Sequence, residues 1–539
     1  MVMMMLSAMF ATSDMAETKT KPKEFVINHK TFCRGEDMAP IKTLPVSTQG
    51  EKSSIENCIG SCKDKFNQML SEVLKAKNQE AHQVEASIFK RLMELGLLLL
   101  TVFFANQNQG DYGETVTTVK GVGKRGRVSG RAYFSIFGKL KVYRYLYHIG
   151  NKCFVPLDVI LNLPVRCYSY YLSEVVNLLD INGAYLEGVK LLEKFFGLKL
   201  SVSAVETISR ESAKGYEDYY DLKNTLPKAG REEDFTVVSF DGKGVPMIKE
   251  EGAKIKGRQG KGEKKQKKKE ALVGVKYSVN ANVRTPEEVA DNLVYPDKKK
   301  QGKKPKPVER AQDIRYIASV EQPKREVMEE IKEEVKNGDF NKTPLVCVMD
   351  GAKHLWDLFG EVFKEIKNTV LILDIIHVLE YIWLIAHINY KEGSDEGKRY
   401  VYEKLLLILQ GKVASYIVEL QNELLNGSWK KSQQETFLKV ITYFKNHKQY
   451  MKYDQYLSQG YPIGSGVVES ACSHVVKDRM EITGARWRIC GAEPILRLRS
   501  VVKSNDWDAY WQFYTTQSQN NAFSPIGVNS LNLQQKIAA

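Results

Sequence analysis

The segment from Val346 to Lys353 reads VCVMDGAK, and it decides the fold predicted for this chain. Its apolar start predicts a buried strand, and an acid and a glycine follow where that strand ends. The next residues place Leu355, Phe359, Val362, Phe363 and Ile366 at helical spacing. Asp350 is therefore predicted to lie where a strand gives way to a loop, held stiffly yet open to solvent.

Two other acids occur in related settings. Residues 236–242 read TVVSFDG and end in Asp241, and Glu469 follows the glycine-serine-glycine turn at 464–466. Carboxylates in such positions suit a divalent cation such as Mg²⁺, which prefers oxygen ligands. Two such ions about 3.5–4 Å apart activate a water or a 3′ hydroxyl and stabilise the leaving oxygen. Asp-Gly is also ordinary turn chemistry, so the spacing alone leaves that alternative open.

The positive charge of the chain is concentrated in two short runs. The 539 residues are 43% apolar and 10% aromatic, as in a folded protein of several domains. Residues 254–269 contain nine Lys or Arg and one acid, and residues 298–310 contain seven and one. Together these runs account for the formal net charge of +14. They indicate either a polyanion partner such as DNA or solvated loops.

The eight cysteines are scattered, without a second pair at metal-finger spacing beside Cys58 and Cys62. We therefore expect reduced thiols and a cytoplasmic protein. The Met-rich start has no basic segment before its apolar run, so no signal peptide is predicted. The apolar stretch 92–104 is short and contains Glu94, which favours a buried helix over a membrane span.

The patterns predict a multidomain α/β plus α protein. The N-terminal part is predicted to consist of a loose tail at 1–55, a helical region at 56–112, a β-ribbon at 113–160 and a helix-turn-helix-like region at 161–230. A catalytic α/β domain follows at 235–389 and 461–514, with basic loops at 251–270 and 295–312. An α-helical insertion at 390–460 divides this domain, and a loose tail at 515–539 ends the chain. In the ribbon, a hairpin turn is predicted at Gly138-Lys139. In the catalytic domain, strands are predicted at 236–240, 271–279, 314–320, 345–349 and 370–373.

The pair of helices before the catalytic domain resembles a DNA-reading unit. Gly197 marks the turn, and Ser203 and Glu206 have the spacing of a capping box at the start of the second helix. That helix is predicted to present Arg210 and Lys214 to DNA. An ordinary helical hairpin remains the alternative.

Three acidic blocks resemble those of bacterial insertion-sequence transposases of the Kra group, which are related to Mutator-like enzymes. The blocks are SFDGKG at 239–244, VMDGAK at 348–353 and GSGVVES at 464–470. The third block has a similar sequel in Arg479-Met480, Gly484-Ala485-Arg486-Trp487 and Leu498-Arg499. The resemblance runs from about residue 80 to 514.

The resemblance implies a ribonuclease-H-like mixed sheet split by an all-α insertion. Asp241, Asp350 and Glu469 would be the catalytic acids and would bind Mg²⁺ or Mn²⁺, as two ions. The reaction would be cleavage at the terminal inverted repeats of the element and strand transfer into target DNA. It would be carried out by a homo-oligomer in the bacterial cytoplasm, associated with the nucleoid and not with a membrane. Such proteins often carry Cys-x-x-Cys before Pro-Leu-Asp, but this chain has only Cys153 before its Pro-Leu-Asp at 156–158.

Several other residues are candidates for the site or for contact with DNA. His377 belongs to an Asp-x-x-His element and either hydrogen-bonds Asp374 in the core or contacts a phosphate or leaving group. Basic residues predicted to contact DNA are Lys264, Lys265, Arg479, Arg486 and Arg488. Trp487 either stacks on an unpaired base or lies in the core.

Two alternatives to a transposase stay open. One is a former transposase kept as a non-catalytic DNA-binding or regulatory protein, against which the intact acids argue. The other is a structure-selective nuclease of the same fold class that cuts branched DNA without strand transfer. Paired carboxylates also occur in glycosidases, but the basic runs make that class remote.

Overall fold

The computed structural model describes residues 51–118, 121–226, 233–255, 267–296, 310–336, 338, 340, 342–482 and 484–523. They belong to one compact unit, Pro45–Ala539. Most of the predicted loose tail at 1–55 lies outside the described residues, and the first helix already begins at Glu51. Lys264 and Lys265, and most of both basic loops, also lie outside them.

Two long helices open the described chain, α1 (Glu51–Lys75) and α2 (Ala81–Ala105). They pack against each other, and Leu97, Leu100 and Phe104 of α2 join the small core beneath the first sheet. Within the described residues, no helix is both long and apolar enough to cross a membrane.

The first sheet has four antiparallel strands in the order β1 (Thr115–Thr118), β2 (Gly121–Ser135), β3 (Gly138–Ile149) and β4 (Lys152–Phe154). Ser135 pairs with Gly138, so Ile136 and Phe137 form the turn. The predicted turn at Gly138-Lys139 is therefore wrong. Gly138 instead begins the return strand, at a positive φ of 134° that favours glycine.

Short helices follow the first sheet: α3 (Pro156–Ile160), α4 (Tyr170–Asp180), α5 (Tyr185–Phe196), α6 (Val202–Ser212) and α7 (Tyr216–Thr225). The predicted helical pair is α5 and α6, and Gly197 ends α5 in the left-handed conformation. The N-cap of α6 is Ser201, whose hydroxyl accepts from the Ala204 backbone N–H at 3.1 Å. The predicted capping box at Ser203 is therefore wrong, because the helix begins one residue before that serine.

The second sheet has five strands in the order β7-β6-β5-β8-β9. They are β5 (Phe235–Pro246), β6 (Lys268–Val279), β7 (Gln312–Ser319), β8 (Leu345–Met349) and β9 (Thr369–Leu373). β5, β6 and β7 pair antiparallel, whereas β5, β8 and β9 run parallel. All five predicted strands are present, and β5 and β6 are longer than predicted. The result is a mixed α/β fold with two sheets.

Helices cover this sheet and extend its core. Those between its strands are α8 (Lys249–Lys254), α9 (Pro286–Val294), α10 (Lys324–Val335) and α11 (Lys353–Val362). After the last strand come α12 (Ile375–Asn389), α13 (Asp395–Leu409), α14 (Val413–Asn426), α15 (Lys431–His447) and α16 (Tyr453–Ser458). Val348 of the sheet and Leu405 and Phe444 of the later helices are fully buried in one continuous core.

The chain then returns to the sheet. It forms α17 (Gly466–Ala471), a π-helical segment (Cys472–Lys477), α18 (Asp478–Met480), α19 (Ile489–Lys503) and α20 (Trp507–Phe523). α17 packs on β5 and β6, and α19 packs on β7. The predicted loose tail at 515–539 is wrong up to Phe523, where α20 ends, and the rest lies outside the described residues.

Candidate active site

Asp241 and Asp350 lie at matching positions on neighbouring parallel strands. The last pair between β5 and β8 is Val238 with Cys347, and each aspartate lies three residues beyond it. Asp350 directly follows β8, as predicted. Asp241 lies inside β5 rather than at its end, since that strand continues to Pro246 beside β6. Its Asp-Gly pair is therefore extended backbone and not a turn.

The two carboxylates interact electrostatically. Burial raises the pKa of Asp350, and the negative charge of Asp241 raises it further, while a hydrogen bond from the Ala352 N–H at 3.1 Å acts in the opposite direction. Repulsion between like charges at close range is relieved when a cation lies between them. Both side chains are half-buried, so they remain within reach of solvent.

Glu469 lies on α17, the short helix packed across β5. Cys472, at the start of the π-helical segment, donates its thiol to Asp241, with 3.2 Å between Sγ and Oδ2. Burial raises the pKa of this thiol, and the adjacent Asp241 raises it further, so it stays protonated and remains a donor. The helix of the third acid is thus bonded directly to the strand of the first acid.

The immediate partners of Glu469 are Asp374 and His377. One ligand atom from each of these three residues lies within 4.8 Å of the others. Within the described residues, no other group of three His, Cys, Asp or Glu side chains comes this close together. Ser465 connects the group, with Oγ 2.9 Å from Asp374 Oδ2 and 3.1 Å from Glu469 Oε1. The three predicted acids do not form a cluster of this kind by themselves.

Asp374 is the fixed centre of this group. Burial alone would raise its pKa, but hydrogen bonds from His377, the Ile376 N–H and Ser465 outweigh burial and lower it. His377 Nδ1 lies 2.8 Å from Asp374 Oδ2, which confirms the predicted i,i+3 hydrogen bond. The same bond raises the pKa of His377 to about 9, so the imidazole is charged at neutral pH. Burial and the charge of Asp374 raise the pKa of Glu469.

Asp374 was predicted only as a hydrogen-bond partner of His377 and not as an acid of the site. Asp374 directly follows β9, and the register between β8 and β9 ends at Met349 with Leu373. Asp350 and Asp374 are therefore the next residues of two adjacent parallel strands. The signal was the one used for Asp350, an acid directly after an apolar strand, and it was available in the sequence. Ser465 and Cys472 gave no comparable signal.

The donor set fits a hard divalent cation. Carboxylate oxygens of Asp241 and Asp350 come from adjacent strands, and the Glu469 carboxylate approaches from a helix packed on the same sheet. Such oxygen ligands suit Mg²⁺ or Mn²⁺. Burial and the negative charge of Asp241 raise the pKa of Asp350, and a cation bound beside this carboxylate would offset both effects.

The π-helical segment after Glu469 is held by Arg499 of α19. The guanidinium donates to the Val475 carbonyl at 2.6 Å and also to the carbonyls of His474 and Ile181. The bonds to His474 and Val475 satisfy carbonyls in a wide helical turn, which is a geometry found frequently at functional sites, and the bond to Ile181 ties this turn to the end of α4. Arg499 is buried, so its role is to hold the segment that carries Cys472.

Two predicted DNA contacts lie in the protein interior. Arg479 is 2% exposed, donates to the Asp180 carbonyl at 2.6 Å, and lies over the rings of Tyr185 and Trp487. Trp487 is 6% exposed and donates from Nε1 to the Met480 carbonyl at 3.0 Å. Burial contradicts a contact with DNA for both side chains. They instead join the segment after the π-helix to α4 and α5.

Four other predicted contacts lie at the surface. Arg210, Lys214, Arg486 and Arg488 are exposed. Lys214 lies beyond the end of α6, in a short 3₁₀ turn, and pairs with Glu211 at 2.8 Å. Arg486 and Arg488 flank the buried Trp487, so alternation along this stretch directs both guanidinium groups outward.

Comparison with known proteins adds little to this geometry. No protein-family model matches the chain, and no curated protein matches its sequence. Among solved structures, it is similar to the Drosophila P element transposase strand transfer complex, with a TM-score of 0.21 and 11% identity over 63% of this chain and 79% of that one. A likeness this low carries no argument about fold or activity.

Proposed function

We propose that this chain is a metal-dependent DNA transposase of the insertion-sequence type. The observation that carries the proposal is the placement of Asp241 and Asp350 at matching positions on adjacent parallel strands, with the helix of Glu469 bonded to the Asp241 strand through Cys472. Two carboxylates on a sheet and a third on a covering helix supply the oxygen ligands that phosphodiester chemistry requires.

We further propose that the five-stranded sheet is a ribonuclease-H-like core and that α13–α16 form its helical insertion. The mixed order, with three antiparallel strands followed by two parallel ones, supports this assignment. The later helices share the core of the sheet, which supports an insertion that helps to shape the site and is not a separate appendage.

The acids would hold Mg²⁺ or Mn²⁺ as two ions. When bound, such ions supply Lewis-acid activation of the attacking oxygen and neutralise charge on the leaving oxygen. In cleavage, a water oxygen bonds to phosphorus, one bridging P–O bond breaks, and the leaving oxygen takes up a proton. In transfer, the oxygen of the released 3′ hydroxyl bonds to a phosphorus of the target DNA and loses its proton. One bridging P–O bond of the target breaks, and the freed 3′ oxygen of the target takes up a proton. The chain's own part is to hold the acids in register and to keep the protonated His377 beside them, where its charge favours an anionic phosphate.

DNA would approach across an exposed basic surface. Arg486 and Arg488 lie in the connection between α18 and α19, and Arg210 lies at the exposed end of α6. We propose that these side chains bind backbone phosphates, which predicts salt-dependent affinity. Lys264 and Lys265 remain proposed contacts from the first basic run.

A strand-transfer assay tests the proposal. The full chain should cleave a DNA that carries the gene's own flanking sequences and join the freed 3′ end to a second DNA, with Mg²⁺ or Mn²⁺ required. Cleavage of branched DNA without joined product would favour the structure-selective nuclease. Salt-sensitive binding without metal-dependent nicking would favour a non-catalytic DNA-binding protein.

A further inference from the structure

Tyr443 of α15 has a buried hydroxyl without a hydrogen-bond partner among the described residues. Burying an unpaired hydroxyl costs about 1–3 kcal/mol, and phenylalanine would fill the same space without that cost. A hydroxyl kept in such a place needs an explanation. The candidate site lies against the ring of this tyrosine.

The ring of Tyr443 is held in one orientation. It stacks face to face on Tyr381 of α12, with 3.7 Å between centroids and 7° between planes. Its edge lies against Gly351, the residue after Asp350, where a Cβ would approach Tyr443 Cε2 to 2.4 Å. The glycine makes room for the ring, and the stack prevents the hydroxyl from turning out to solvent.

Charged protein groups near this hydroxyl can accept its hydrogen bond. The oxygen has no accessible surface, so bulk water does not reach it. After burial and Tyr381, the charges of Asp350, Asp374 and Glu380 raise the pKa of Tyr443. Asp374 already accepts from His377, Ser465 and Ile376, and Glu380 is exposed. Asp350 is therefore the best-placed acceptor. Its Oδ1 accepts from the Ala352 N–H, which leaves Oδ2 for the hydroxyl, and the adjacent Gly351 lies against the Tyr443 ring.

We propose that Tyr443 is a positioning residue, which donates to the Asp350 carboxylate when that carboxylate turns to hold a divalent cation. The inference rests on the proposed function, because it assumes that Asp350 is a metal ligand. Partners that orient a ligating group typically change metal affinity by about 10–100-fold when they are removed. The insertion helix would thus contribute to metal binding through the buried Tyr443 hydroxyl.

Thermal unfolding of full-length Tyr443→Phe, titrated with Mn²⁺, tests the proposal. Without metal, the variant should be as stable as the natural protein or more stable, because an unpaired hydroxyl is removed. The Mn²⁺ concentration needed for a given rise in unfolding temperature should increase about 10-fold. The Mg²⁺ concentration for half-maximal cleavage should rise by a similar factor, with the rate at saturating metal nearly unchanged.

Tyr453→Phe is the matched control. The Tyr453 hydroxyl donates to the Leu373 carbonyl at 2.7 Å, so its loss should lower stability without changing the Mn²⁺ dependence. If the natural protein responds to Mn²⁺ and Tyr443→Phe responds identically, the role of Tyr443 is refuted while the proposed function stands. If the natural protein shows no metal response, the metal site and the role of Tyr443 both fail.

Discussion

Cys472 donates its thiol to Asp241 across 231 positions of sequence, with 3.2 Å between Sγ and Oδ2. The bond joins the π-helical segment after Glu469 to the strand of the first acid. Arg499 holds the same segment through the Val475 carbonyl. The position of Glu469 relative to the two aspartates is therefore set by contacts that the sequence spacing does not reveal.

Stability should depend on the protonation of Asp180, a buried residue at the end of α4. Burial raises its pKa to about 7, so the folded state binds a proton more tightly than the unfolded state. Its contribution to stability is therefore lost as the pH rises from about 4 through about 7, by about 4 kcal/mol. Asp180→Asn should remove this dependence and be more stable than the natural protein at pH 8. If the free energy of unfolding changes between pH 5 and pH 8 by the same amount in the natural protein and in Asp180→Asn, this account is contradicted.

The charged form of His377 should stabilise the folded state up to a higher pH than protonated Asp180 does. Its hydrogen bond to Asp374 raises its pKa to about 9, so its contribution is complete below about pH 6.5 and is lost as the pH rises through about 9. The side chain is one-third exposed, so solvent screening reduces the effect to on the order of 1 kcal/mol. His377→Gln should flatten the pH dependence of unfolding between pH 7 and 10. A variant as pH-dependent as the natural protein would refute the pairing.

The glycines after the two aspartates should respond differently to alanine. In Gly351→Ala, the new Cβ meets the ring of Tyr443, which is stacked and does not yield, so we expect a loss of about 1–3 kcal/mol. In Gly242→Ala, the Cβ meets only the carboxyl end of Glu270, which is half-exposed and turns aside. That change should alter the free energy of unfolding by less than about 1 kcal/mol. In urea unfolding, a loss below about 1 kcal/mol for Gly351→Ala would show that the Tyr443 ring yields to the new methyl group.

The hairpin of α1 and α2 should mediate association of two copies of the chain. Exposed apolar side chains occur along both helices: Ile59, Phe66, Leu70, Val73, Leu74, Phe89, Leu92, Leu99 and Phe103. An apolar surface of this extent on two long helices is typical of a helix-bundle interface. Phe66→Glu with Leu70→Glu should convert a dimer to a monomer in analytical ultracentrifugation, whereas Asn67→Glu on the same helix should not. Identical sedimentation of all three proteins would exclude this surface.

Much of the fold follows from local patterns. The five strands of the second sheet are apolar runs bounded by breakers, and the long helices have clear periodicity, so each was predictable. The turn at Ile136-Phe137 and the N-cap at Ser201 were missed because a neighbouring glycine or serine gave a similar signal. Only the register with the partner strand, or the hydrogen bond of the cap, distinguishes between them.

Asp241, Asp350 and Glu469 were predicted from their three acidic blocks, and the position of Asp350 after an apolar strand gave a second signal. Asp350 and Asp374 both come directly after an apolar run, whereas the burial of Arg479 depends on Asp180, 299 residues earlier in the chain. An arginine in a basic segment that contains a tryptophan has the same sequence signal whether it faces DNA or packs in an interior. Tertiary partners decide between these outcomes, and local spacing carries no information about them.

Metal-dependent cleavage by Asp350→Asn tests the central claim most directly. The substrate is a plasmid that carries the DNA flanking the gene, incubated with Mg²⁺ and with either the full natural chain or the variant. Asparagine keeps the size of the side chain and removes its charge, so DNA binding should be retained while cleavage falls by at least about 1,000-fold. Full cleavage by Asp350→Asn would contradict the proposed metal site.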